Sequence, residues 1–389
     1  MSTPGSPATV MLVGAFERDN FGDLLFLRLT EHRLRAAGVT TLAAAPSAAD
    51  MSGTLGRFVP AFPPLLSRHA FDVVWSVGGE LGGVDQESAY RFSLTEDEFR
   101  IYREAGDAGR TAITQVLSGG DLTGPAYLPD LDGWVAQERA RSVLHSVGLA
   151  GAAALDETGL AAFRSAVVRA DAITVRDRAS SRLLDELEQP HRLAPDVVHA
   201  IRSLVPAEHA AEPKVLVQIS ERALDAHTEH AFIEALLATE AIAPFEIAFF
   251  AAGIAPGHDS LARYEVMADE LRRAGRARVR VITGREPEVL VAEIASAALW
   301  IGTSLHGRVV SAAFRVPRIG LSTAKLDGYA AEWDPAMPFG VEPAALPSAA
   351  RTALADDTRT RADETSAALE LTAERALREQ IEQVVEWTS

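Results

Sequence analysis

The sequence predicts an α/β protein with mostly parallel sheets covered by helices on both faces. Three observations lead there. Short apolar runs at residues 10–13, 71–77, 172–175 and 215–219 alternate with longer segments of helical periodicity. The runs repeatedly end in glycine or a polar turn, where a strand hands over to a helix. At 389 residues the chain also exceeds the usual reach of one hydrophobic core, so two domains are expected.

Residues 10–13 are the first strand, ending at Gly14. A polar loop, 15–23, leads into a helix carrying Leu24, Leu27, Leu34 and Ala37, which Gly38 stops. Residues 39–43 resume as a strand. The first turn of this β-α-β unit lies at the carboxyl end of a strand, where ligands sit in open α/β sheets. It lacks the G-x-G-x-x-G spacing of a dinucleotide site. Strand 71–77 runs into Gly78-Gly79-Glu80-Leu81-Gly82-Gly83. Such a glycine density suits backbone that passes close to a ligand or a neighbouring chain, with a plain flexible turn as the alternative. Residues 84–132 are irregular and acidic, with Tyr90, Phe92, Tyr102 and Tyr127 scattered through them. They read as a substrate-facing insertion, a lid or packed surface structure.

Residues 144–149 form a strand and loop, 160–169 a helix, 172–175 a strand and 181–187 a helix. Arg176, Asp177, Arg178 and Ser180 enter the turn between the last two. Residues 193–198, with Asp196 after Pro195, close a first domain spanning 1–200, and 199–213 is the linker candidate. The second domain, 201–345, has strands at 215–219, 245–250, 279–282, 299–301 and 318–321. Helices near 232–237, 264–273 and 288–297 separate them, and 322–325 leaves the last strand as a loop. In the segment 346–389, residues 347–360 look loosely ordered. Leu369, Ala373, Leu377, Ile381 and Val384 then recur at helical spacing, an amphipathic terminal helix expected to pack on the body.

Composition excludes several functions. The 54 acidic against 37 basic side chains give a net charge of -17, which disfavours binding to a nucleic-acid backbone. Cysteine is absent, so disulfides and thiolate metal sites are out, and a cytoplasmic setting is expected. No run of 18 apolar residues exists and the start has no signal-peptide pattern, so no membrane span is expected. His191, Asp196 and His199 are too loosely spaced for a ligand motif, and Asp225, His227 and His230 read as a solvated helix start. No metal is expected.

Residues 299–308 are the most informative stretch. Three apolar residues reach Gly302, Thr303 and Ser304 follow, and His306 and Arg308 open the apolar run 309–314. This strand–turn–helix puts an imidazole, a guanidinium and helix N–H groups at one sheet edge, which suits a phosphate or carboxylate. The alternative is that Ser304 only caps the helix and His306 only packs.

Together, Asn20-Phe21-Gly22-Asp23, the strand and turn 73–79, the stretch 173–180, the Pro195-Asp196 pair and the segment 303–317 followed by Lys325 resemble the polysaccharide pyruvyl transferase family. The resemblance spans roughly residues 10 to 330 and implies two Rossmann-like domains facing across a cleft, a GT-B-like arrangement with the terminal helix added. It implies transfer of an enolpyruvyl group from phosphoenolpyruvate to a sugar hydroxyl, closure of a ketal by a second hydroxyl, and release of phosphate. The chain departs from the family at Glu80, where a third glycine is common. It also lacks the usual proline after Gly148 and has unusual spacing over 84–132. These departures fall on the side expected to hold the acceptor.

On this reading the carboxy-terminal domain takes the donor, a co-substrate and not a resident cofactor. Arg308 and Arg176 are the first candidates to bind its anionic groups, with Arg178, Ser304 and Lys325 beside them. His306 is the candidate to give a proton to the methylene carbon and later take one back. Asp23 and Glu80 are the candidate bases for the acceptor hydroxyl, with Asn20 and Gly79 in the same half-site. Asp23 has a rival role as a helix N-cap, Arg178 as partner of Asp177, and Lys325 as a solvated surface charge. The acceptor is sugar-like, either free or linked to a lipid or nucleotide, and a homo-oligomer is left open. Two other readings stay open: a glycosyltransferase using a nucleotide sugar, and a non-catalytic family member acting as a binding or scaffold protein.

Overall fold

The computed structural model describes residues 9–118, 125–205, 212–224, 226–255 and 258–388. They divide into two compact units. One holds the chain up to Val197 and the segment from Glu374 onward; the other is Val198–Ala373.

The first unit runs β1 (Thr9–Val13), α1 (Phe21–Ala36), β2 (Thr40–Ala44), the antiparallel pair β3 (Ala49–Met51) and β4 (Arg57–Val59), α2 (Phe62–Arg68) and β5 (Val73–Val77). Then come α3 (Gln86–Ser93), α4 (Glu96–Glu104), α5 (Gly106–Ser118), β6 (Arg141–Val147), α6 (Glu157–Val168), β7 (Ala172–Val175), α7 (Arg178–Glu186) and β8 (Arg192–Leu193). Six strands lie in the order β2-β1-β5-β6-β7-β8, every adjacent pair parallel. β5 is buried at every position, as a parallel strand covered on both faces is, and it reads as an apolar run broken only by Ser76, whose hydroxyl donates to Tyr127 O at 2.8 Å. The strand order reverses between β1 and β5. Ligands of open α/β sheets bind outside the carboxyl ends of strands at such a reversal.

The second unit runs β9 (Lys214–Gln218), α8 (Ala226–Ala238), β10 (Glu246–Phe249), α9 (Leu261–Arg273), β11 (Val279–Val281), α10 (Pro287–Ala295), β12 (Leu299–Gly302) and α11 (Leu305–Ala313). β13 (Arg318–Gly320), α12 (Ala324–Trp333) and α13 (Leu346–Leu354) follow, and α14 (Asp356–Thr388) ends the chain, its last residues belonging to the first unit. Its sheet has the order β11-β10-β9-β12-β13, again parallel, with the reversal between β9 and β12.

Several elements differ from the sequence expectation. α1 begins earlier than its apolar periodicity suggests, because Asn20 Oδ1 accepts from Gly22 N at 3.1 Å. Asn20 is therefore the cap, and Asp23 sits in the first turn. The stretch read as irregular contains three helices. Asp85 caps α3 and a Thr95–Glu98 capping box starts α4, local signals that outweigh the weak periodicity. Residues 119–124 of that stretch, 206–211 of the expected linker and Asp225 lie outside the described residues. Lys325 stands on α12, where Thr323 caps the helix, and not in a loop. The segment expected to be loose, 347–360, is helical in α13 and α14.

Candidate functional site

The loop after β1 carries a polar cluster at the first unit's strand reversal. Glu17 is only 3% exposed; its Oε1 accepts from the Tyr127 hydroxyl at 2.6 Å, while Oε2 is buried without a hydrogen-bond partner among the described residues. Burial pushes the Glu17 carboxyl up to about 7 against the pull of Arg18. Arg18 Nη2 donates to Asp23 Oδ2 at 3.1 Å, and its guanidinium lies 5.4 Å from the Phe92 ring centroid and 5.8 Å from that of Tyr127. Across the reversal, Gly78 and Gly79 adopt φ of +52° and +83°. A Cβ on Gly79 would come within 3.0 Å of Asp23 Oδ1, so the glycine leaves that carboxylate room. Asn20, which caps α1, Asp23 in its first turn and Gly79 thus stand at one strand reversal.

Glu80 and Arg176 form a separate group. Arg176, 1% exposed, donates from Nη1 to Asp196 Oδ2 at 3.0 Å. Glu80 Oε1 accepts from Gly151 N at 3.0 Å, and its charge acts on Arg176. A Cβ on Gly148 would lie 2.4 Å from Glu80 Oε2 and 3.3 Å from Arg176 Nη2. Arg176 is therefore already counterbalanced inside the unit, and Glu80 is not an idle base but a brace for the 148–151 turn. Arg178, first residue of α7 behind the cap Asp177, is exposed. His145 lies nearby on β6, edge-on to Trp75 at 5.4 Å between centroids; burial and Arg192 push it down to about 4, so it is neutral at pH 7.

The second unit's reversal holds the other cluster. β12 ends at Gly302, and Ser304 caps α11, its Oγ accepting from Gly307 N at 3.1 Å. His306 lies in the first turn, 8% exposed. From the facing strand end, Gln218 Oε1 accepts from Thr303 N at 3.0 Å and Ser304 N at 2.8 Å. Lys325 is exposed at the start of α12.

Arg308 corrects the sequence reading. Its guanidinium is 1% exposed and packed beside the end of β13, where a Cβ on Gly320 would lie 3.1 Å from Nη1. Nη1 donates to Pro338 O at 2.9 Å, and Nη2 to Asp334 O at 2.9 Å and Met337 O at 3.0 Å. Its Nε lies 2.8 Å from Asp334 Oδ2, and Arg318 grips the same carboxylate from Nε at 2.7 Å. Burial lowers the Arg308 guanidinium to about 10. A side chain so engaged clamps the 334–338 turn and is not presented to a ligand.

The family model for polysaccharide pyruvyl transferases matches residues 20–325. The chain belongs to the polysaccharide pyruvyl transferase family. No protein of curated function matches it by sequence. Its fold is similar to Anabaena HepE in complex with UDP-glucose, at 12% identity and a TM-score of 0.52, covering 97% of this chain and 99% of that one. It is also similar to the Methanocaldococcus jannaschii UDP-GlcNAc 2-epimerase in complex with UDP-GlcNAc and UDP, at 11% identity and a TM-score of 0.51, covering 91% and 94%. The S. aureus MnaA–UDP structure matches at 11% identity and a TM-score of 0.52, covering 92% and 91%. The fold is thus GT-B-like: α/β with two parallel sheets and a long C-terminal helix.

For this pyruvyl transferase family member, sequence reasoning passed over Glu17, Arg18 and Gln218, and met Tyr127 only as one of the aromatics scattered through residues 84–132. The first three left a signal. Glu17 and Arg18 are charges set directly before the Asn20–Asp23 motif, and Gln218 is the polar end of an apolar strand. Tyr127 comes from a distant segment, and nothing in the sequence pairs it with Glu17. Among the described residues no group of three His, Cys, Asp or Glu side chains is arranged to hold a metal ion, and no helix is long and apolar enough to cross a membrane.

Proposed function

We propose that the protein transfers the pyruvyl group of phosphoenolpyruvate to two hydroxyls of a sugar-like acceptor, forming a cyclic ketal and releasing phosphate. The observation that carries this is the family match over residues 20–325, which includes Asn20, Asp23 and Gly79 in the first unit and Ser304, His306 and Lys325 in the second. In the second unit the first turn of α11, with Ser304 and His306, takes the phosphoenolpyruvate end, and Lys325 adds a positive charge. In the first unit Asp23, with Asn20 and Gly79 beside it, accepts the acceptor's hydroxyl proton. Arg308 and Arg176 support these half-sites from inside their units and do not bind the donor.

Chemically, His306 gives its proton to the methylene carbon while the acceptor oxygen bonds to the central carbon. The bond from that carbon to the phosphate oxygen then breaks, and the second hydroxyl takes its place as its proton is removed. Phosphate leaves with the bridging oxygen. The lack of cysteine fits a cytoplasmic setting for such a reaction.

The rival reading is glycosyl transfer, and the UDP-glucose in the similar Anabaena structure makes a nucleotide sugar the competing donor to test. Phosphate release from phosphoenolpyruvate is measured with a panel of sugars and sugar nucleotides, with mass spectrometry of the products. Acceptor-dependent phosphate release is expected, with kcat falling about 100- to 10,000-fold in His306→Gln. Turnover of UDP-glucose with no response to phosphoenolpyruvate would move the assignment to glycosyl transfer.

A further inference from the structure

We infer that Gln218 and Asp259, neither of them part of the segment that carries Ser304 and His306, are positioning residues that orient His306. The inference rests on the reading of His306 as the proton carrier of pyruvyl transfer.

Gln218 is the last residue of β9, buried at 2% exposure, and reaches across to the end of β12. Gly302 makes this approach possible, since a Cβ there would lie 2.7 Å from Gln218 O and 2.9 Å from Gln218 Oε1. That one amide oxygen collects Thr303 N at 3.0 Å, Ser304 N at 2.8 Å and Thr303 Oγ1 at 3.2 Å. Ser220 N donates in turn to Thr303 Oγ1 at 3.1 Å. Both residues that precede α11 therefore donate to this one side-chain atom.

An amide does this only when its oxygen faces the turn, and its shape leaves the opposite orientation open. Asp259 removes that freedom. A carboxylate only accepts, and Asp259 Oδ1 accepts a hydrogen bond from Gln218 Nε2 at 2.8 Å, so the amide nitrogen cannot face Thr303. The other oxygen accepts from Ala252 N at 2.6 Å. Asp259 is 6% exposed; burial pushes its carboxyl up to about 6, with Arg285 pulling the other way, so the acceptor-only form prevails at pH 7. The chain of contacts runs from the 252 backbone through two buried side chains to the turn that aims His306. A buried network of this kind specifies one geometry because each partial alternative leaves a donor facing a donor.

The test uses Gln218→Glu, Asp259→Asn and the double variant in the full-length protein. In Gln218→Glu two carboxylates meet and must share a proton. In Asp259→Asn an amide nitrogen faces either the Gln218 amide or Ala252 N–H. The double variant restores every bond: the amide introduced at 259 donates to the carboxylate introduced at 218, which still accepts from Thr303 and Ser304. Phosphate release from phosphoenolpyruvate reports kcat and KM, and the 15N-imidazole resonances of His306, assigned with His306→Gln, report its orientation independently of turnover.

Each single variant is expected to lower kcat roughly tenfold with little change in KM and to move the His306 resonances, and the double variant to recover most of both. Singles that fold and keep wild-type kcat and resonances overturn the inference, as does a folded double variant no better than the singles. If a single variant does not fold, the double variant decides: recovered resonances and kcat support the inference, and a loss like that of His306→Gln overturns it. A wild-type protein that releases no phosphate from phosphoenolpyruvate refutes the reaction instead, and the resonances then still judge the orientation of His306.

Discussion

The hydroxyl of Tyr127 donates to Glu17 at 2.6 Å, joining two fully buried groups 110 residues apart at the first unit's strand reversal. With its other oxygen unpartnered among the described residues, Glu17 stays protonated far above the ordinary range of a carboxylic acid. The sign of its effect on stability follows. A folded-state value near 7 against 4.5 means that the contribution is full below 4.5 and is lost as pH rises through 7. The wild-type protein is expected to lose about 3 kcal/mol from this group between about pH 4 and about pH 8, and Glu17→Gln to remove that loss. Thermal melts of both proteins across the range check it; identical pH dependence would rule out Glu17 as a buried acid.

Arg308 is held by three backbone carbonyls and Asp334. Arg308→Ala is therefore expected to act on stability, costing about 3–5 kcal/mol, because it strips the partner from buried acceptors. Urea unfolding followed through the second unit gives the number. A variant that melts like the wild type but no longer binds phosphoenolpyruvate would return Arg308 to the binding surface.

Gly82 packs so closely that a Cβ would lie 2.3 Å from Leu149 O. Backbone cannot give way as a side chain can, so Gly82→Ala is expected to destabilise the first unit by about 1–3 kcal/mol. Gly133, whose Cβ would meet nothing within 4 Å, serves as the control, and Gly133→Ala should leave the melting temperature nearly unchanged.

Lys325 is exposed, so its replacement should barely touch folding. Lys325→Ala is expected to raise the KM for phosphoenolpyruvate about two- to five-fold, the scale of one solvent-exposed charge contact, and added salt should shrink the difference. Steady-state kinetics at two ionic strengths measure it. An unchanged KM at low salt would assign Lys325 to the solvated surface alone.

The strand–turn–helix at 299–308 and the Asn20–Asp23 loop were legible because each is a local pattern: an apolar run, a capping side chain, a glycine. The three helices between residues 86 and 118 were not, because α3 and α4 bury few apolar positions and so show little apolar periodicity, even though both carry capping residues.

By itself, the sequence determined the alternation of strands and helices, the family, and which turns carry polar groups at strand ends. These depend on periodicity and residue order, which a chain displays without folding. Only the tertiary structure decided which charges are available for chemistry. Arg308 and His306 are two residues apart, yet the helix turns the guanidinium toward Asp334 and the interior. Glu17 and Asp259 become weak acids only because burial removes water from their carboxyl groups, and their partners Tyr127 and Gln218 come from distant segments. Desolvation and long-range pairing are properties of packing, and no window of sequence contains them.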